Sequence, residues 1–143
     1  MAGGAGVEWY AGWQNNAPTS DLSSEDLRVR ANMWRLNKIA LGFFNAYIPF
    51  QNMTAANDLI PGDNDYVFAQ TNQTYLAYLC EGGSAEIDLT AARGTYDVHW
   101  FDLRNGGDLQ TGSVTRIRGG QSASLGSAPS DPDQDWAVLL RRL

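Results

Sequence analysis

The stretch "RGTYDVHWFDLRNGG", residues 93–107, decides how the rest of the chain is read. Side chains two apart along a strand share a face, so strict alternation puts Tyr96, Val98 and Trp100 together and Asp97, His99 and Phe101 on the other side. The first set has the composition of a core face. The second is more polar, and there Asp97 can hold His99, the single histidine, by a same-face contact with no chemistry following. Histidine titrates near neutral pH, but catalysis also needs a cleft and a partner nucleophile. Asn105-Gly106-Gly107 then gives a strong hairpin signal after the alternating run. The stretch reads as strand, then turn.

The same period of two recurs on both sides. Tyr66–Gln70, Thr74–Cys80, Ser84–Leu89, Thr95–Leu103, Gly112–Ile117, Gln121–Leu125 and Asp135–Arg141 each read as short strands. Turn signals separate them: "TNQ", "EGG", "ARG", "NGGD", "RGG" and "SAPSDPD". Short strands at roughly ten-residue spacing, with no helical interludes, predict a mainly β domain: a seven-stranded antiparallel Ig-like β-sandwich. Trp136, Val138 and Leu140 close it from the last strand, and Tyr96, Trp100 and Trp136 are read as core.

One long N-terminal α-helix precedes the strands. Residues 19–47 carry a helical pattern, opened by Ser23 with Asp26 three residues later, an arrangement that satisfies orphan backbone N–H groups. Met33, Leu36, Ala40, Phe43 and Tyr47 form one apolar stripe, and Trp34, Leu41 and Phe44 add a second. A helix apolar on two sides needs two surfaces to pack against. Pro49 ends it.

The totals exclude several functions. At 143 residues the chain can bury a core without metal or disulfide support, and its net charge of -6 argues against nucleic acid as a partner. Cys80 is the sole cysteine and reads as a buried strand residue. No run of about 18 apolar residues is present, so no membrane span is expected. The glycine-rich, apolar opening "MAGGAGVEWYAGW" reads as a cut end.

Three constellations are candidates for chemistry. Asp131, Asp133 and Asp135 have the every-second-residue spacing of a calcium loop, but Trp136 and Arg142 stand where that loop needs Gly and Glu. No metal and no cofactor are expected. Glu8, flanked by Trp9, Tyr10 and Trp13, has the look of a sugar site lined by stacking rings, yet a glycosidase needs a second carboxylate and none is near. The triplets "NMT" at Asn52 and "NQT" at Asn72 match the glycosylation acceptor pattern and carry little weight.

The strand series is then familiar. "PFQNMTAANDLI", "YVFAQTNQTYLAYLCEGGSAEIDL", "GTYDVHWFDLRNGG" and "APSDPDQDWAVLLRRL" closely resemble the C-terminal β-sandwich domain described as a collagen-binding domain. That domain follows a (β/α)8 barrel in glycoside hydrolases, mostly bacterial, that include apiosidase-like proteins. The resemblance covers about residues 48–143; where the family often has a Pro and a Thr-Gly after "WFD", Leu103-Arg104-Asn105-Gly106 stands here, which alters one hairpin.

The resemblance implies that residues 1–47 are a remnant of such a barrel, its last strand and helix, and residues 48–143 the accessory sandwich. Glu8 would then lie near the carboxyl end of a barrel strand, the active-site face of such enzymes, as a candidate catalytic residue of the parent alone. Trp9, Tyr10 and Trp13 would be ligand-binding candidates beside it. The leading expectation is a non-catalytic accessory domain whose partner is the catalytic barrel of a parent hydrolase that is secreted or periplasmic. The alternative is a carbohydrate- or collagen-binding module, and a standalone glycosidase ranks last. Without a barrel, the helix should leave Trp34 or Phe44 partly exposed and favour self-association.

Overall fold

The computed structural model describes residues 27–61 and 64–143. A 3-10 turn, Leu27–Arg30, leads into helix α1, Ala31–Tyr47. Strands β1 to β8 follow at Thr54–Ala55, Tyr66–Gln70, Thr74–Leu79, Glu86–Asp88, Thr95–Asp102, Arg116–Arg118, Ser122–Ser124 and Trp136–Arg142. Six form one antiparallel sheet in the order β1-β2-β3-β8-β5-β6, and β4 and β7 pair as a second.

Among the described residues the fold is mainly β and antiparallel with one N-terminal α-helix, as expected, but it has eight strands rather than seven. The extra one, β1, is only two residues long, too short to show a period. β4, β6 and β7 are each three residues long, shorter than the alternation suggested. The Ser23–Asp26 start of the helix lies outside the described residues. Where α1 does begin, Arg30 makes no side-chain cap. It ends as Pro49 predicts, with Ile48 N–H bonded back to Phe44 O at 3.1 Å and no proline N–H to continue.

Cross-strand partners in an antiparallel sheet share a face, so the register assigns every side chain of the large sheet to one of two layers. Val67, Tyr75, Leu79, Tyr96, Val98, Trp100, Trp136, Val138 and Leu140 face inward and meet Ile87, Leu89 and Leu125 from the β4–β7 side, forming one buried cluster. Trp100 and Trp136 touch edge to face, centroids 6.0 Å apart, at its centre. Gly112 is required beside them, because a Cβ there would collide with Trp100 Nε1 and the Ser127 carbonyl.

The outer layer holds a second buried cluster. Phe43 of α1 stacks on Phe101, centroids 4.2 Å apart, and with Ile48 and Met53 covers Leu76, Ala137 and Leu139. The Asp97–His99–Phe101 face is therefore not simply the solvated one: Phe101 is 3% exposed because the helix lies on it. The predicted hairpin forms, with Trp100 and Gln110 exchanging backbone hydrogen bonds at 2.9 and 2.7 Å before β6 pairs with β5. Its turn is tied to the helix, since Arg35 Nη1 donates to Arg104 O at 2.5 Å.

Phe43 is the main anchor of α1 on the sheet. Phe43→Ala should lower unfolding free energy by about 3 kcal/mol, the ordinary cost of emptying a buried aromatic site, as read by chemical denaturation.

Candidate functional site

Helix α1 seats at Phe43, and an open groove of about 620 Å³ lies between the helix and the outer face of the sheet. Leu36, Ala40 and Phe44 form its roof, and Phe68, Leu76 and Ala137 its floor. This apolar interior has the size of a small-ligand site. Four side chains set the mouth: Tyr66, Tyr78, Arg104 and Asp135.

Register places Tyr66 directly across from Tyr78, and their rings stack at 6.3 Å and 25°. Tyr78 Oη donates to Asp135 Oδ2 at 2.5 Å, and Glu81 N–H donates to Asp135 Oδ1 at 3.0 Å. Burial first, then the hydrogen bond and charge of Asp135, push the Tyr78 phenol far above the ordinary tyrosine range. Tyr78 is thus a fixed neutral donor, and both oxygens of Asp135 are engaged.

Arg104 is held by Asp102. Its Nε and Nη2 reach the Asp102 carboxylate at 3.2 and 3.4 Å, Nη2 also reaches Asp131 Oδ2 at 3.4 Å, and the guanidinium stands 5.5 Å from the Trp136 ring centroid. Asp102 further accepts from Asn105 N, Asn105 Nδ2 and Arg104 N at 3.0, 2.9 and 2.8 Å. Burial pushes its pKa up, but the hydrogen bonds from Asn105 and Arg104, with the Arg104 charge, outweigh that and hold it below the usual carboxylate range. The mouth presents a tyrosine donor, stacked rings and a committed ion pair.

The residues singled out from sequence fall elsewhere. Glu8, Trp9, Tyr10 and Trp13 lie outside the described residues. Asp97 and His99 share a face, but Asp97 Oδ1 accepts from Arg116 Nε at 3.0 Å, and half-buried His99 pairs across the sheet with Leu139. Tyr96, Trp100 and Trp136 are buried in the core as read. Cys80 is half-exposed rather than buried, because β3 ends one residue earlier. Asp131 and Asp135 serve Arg104 and Tyr78, and no cluster of His, Cys, Asp and Glu among the described residues could hold a metal ion. Asn72 sits in the β2–β3 turn at φ +64° with its side chain taken by Arg93 N–H, and Asn52 ends an exposed 3-10 turn. No described helix is long and apolar enough to cross a membrane.

Sequence reasoning did not single out Tyr66, Tyr78 or Arg104. The available signal was "TYLAYL" and "WAVLL", which are apolar at odd and even positions alike and so announce strands covered on both faces.

Comparisons with known proteins agree with this architecture. The family described as "Putative collagen-binding domain of a collagenase" matches residues 48–141. Among solved structures, one glycoside hydrolase superposes with a TM-score of 0.62 at 14% identity, over 78% of this chain and 25% of that chain. A family 5 glycoside hydrolase from Bacteroides vulgatus ATCC 8482 gives 0.61 at 17% identity, over 78% and 24%. The chain thus spans about a quarter of the length of these structural neighbours, and the likeness is one of fold. No curated protein matches the chain.

A carboxylate with a depressed pKa stabilises the fold above its unfolded value near 3.9 and loses that contribution as pH falls through the folded value. Asp102→Asn should therefore cost about 1–3 kcal/mol at pH 7, the gap to wild type closing below about pH 4, as read by denaturation across pH.

Proposed function

The chain belongs to this collagen-binding-domain family, and on that premise we propose that it acts as a non-catalytic accessory domain of a glycoside hydrolase, packing against the catalytic barrel through α1. Residues 48–143 are the sandwich in this reading, and residues 1–47 belong with the barrel. One observation carries it: α1 is apolar on opposite sides. Phe43 is buried on the sheet, while Trp34 and Leu41, two turns apart on the far side, are 45% and 53% exposed. Large side chains aligned on an otherwise solvated helix mark a surface with a partner. The fold likeness to much longer hydrolases supports a barrel as that partner.

The groove favours a second reading, a binding module. Its stacked tyrosines and apolar floor suit an extended proline-rich strand or a sugar ring, the first being the kind of chain collagen is made of. Amide shifts on titration with a Gly-Pro-rich peptide or a neutral oligosaccharide should then cluster at Tyr66 and Tyr78 and vanish in Tyr66→Ala; shifts scattered elsewhere would remove this reading.

For the leading reading the test is self-association of the isolated chain. Sedimentation should show concentration-dependent dimers that bind a hydrophobic dye, both lost in Trp34→Glu/Leu41→Lys. A monomeric, dye-silent wild type would overturn it.

A further inference from the structure

Basic side chains collect at one end of the large sheet. Arg93, Arg116, Arg118, Arg141 and Arg142, half of the ten basic residues, gather where β5 begins and β6 and β8 end. Glu81, Asp102, Asp131 and Asp135 gather at the opposite end, with Arg104 alone among them, where β3 and β5 stop and β8 starts. The register makes the basic end an ordered array. Arg116, Asp97 and Arg141 lie directly across three adjacent strands, and Arg118 pairs with Thr95 one row beyond.

These positions share the outer face, opposite in parity to the core residues Tyr96, Ile117 and Leu140. With strands about 4.8 Å apart, Arg116 and Arg141 stand about 10 Å from each other, and Arg118 lies roughly 7 Å from Arg116 along β6. All three arginines are exposed. Asp97 is the only acidic side chain on these rows and engages Arg116 alone; Arg118 and Arg141 have no ion pair among the described residues.

We propose that this outer-face arginine array is a docking surface for an anionic polysaccharide, a chain whose sugar rings carry carboxylates. Guanidinium forks take carboxylates bidentately, and a flat sheet presents several at fixed spacing to an extended chain. Thr95 and His99 on the same face offer a hydroxyl and an imidazole to ring hydroxyls. The choice of polysaccharide among polyanions rests on the glycoside hydrolase reading above.

Affinity electrophoresis and calorimetry of the whole chain with polygalacturonate test it, against fully methyl-esterified pectin and duplex DNA. Polygalacturonate should bind, weakening as salt rises, while the neutral ester and DNA bind far less. Arg118→Gln/Arg141→Gln should weaken binding about tenfold, the sum of two exposed charge contacts, with unfolding temperature unchanged. Lys38→Gln on the helix and Trp34→Glu/Leu41→Lys should leave binding intact, which separates failure here from failure of the packing reading. No binding, equal binding to the neutral ester, tighter binding to DNA, or a double variant that binds like wild type would each overturn the proposal.

Discussion

The burial of β8 on both faces is the constraint on which the rest of the structure depends. It lies between β3 and β5, and its residues Trp136 to Leu140 are all buried. A strand of this kind must have an apolar layer above and below it. On the inner side that layer is the small β4–β7 sheet. On the outer side it is one helix and the chain that follows it. Two strands and one helix are both narrower than a six-stranded sheet, so neither layer covers it fully. The groove beneath α1 and the arginine rows beyond it are the parts of the outer face that α1 leaves uncovered.

Much of this was legible in the sequence because period-two alternation reports directly on a sheet with one solvated face. Ile87 between Glu86 and Asp88, and Ile117 between Arg116 and Arg118, follow that rule, and their strands were found. It failed where the second face is covered by an element distant in sequence. Phe101 looked like a member of a polar face, and nothing in residues 93–107 says that Phe43, some fifty residues earlier, lies on it. The groove is harder still to read, since its lining joins α1 to strands far from it in sequence. β1 escaped because two residues cannot show a period.

The end of the sheet that holds the groove's mouth is rigid for an electrostatic reason. Asp102 closes the β5 turn through Asn105 and Arg104, and Arg104 in turn lies over Trp136 and reaches Asp131. The Leu103–Gly106 segment is what puts a guanidinium there. Arg35 binds the carbonyl of the same Arg104, so turn, helix and core tryptophan are fixed relative to one another. The carboxylates at this end are thus already committed, Asp102 to Arg104 and Asn105 and Asp135 to Tyr78.

The two outer surfaces of the sandwich are unequal in what they offer. On the β4–β7 sheet, Glu86, Asp88, Ser122 and Ser124 point to solvent and alternate with Ile87 and Ala123, which face the core, an ordinary half-solvated pattern. On the large sheet's outer side lie exposed Trp34 and Leu41, the stacked Tyr66 and Tyr78, and the ordered arginines. This asymmetry is what the proposed accessory role asks for: one side of the domain meets the larger body, and the ground next to it meets whatever that body works on.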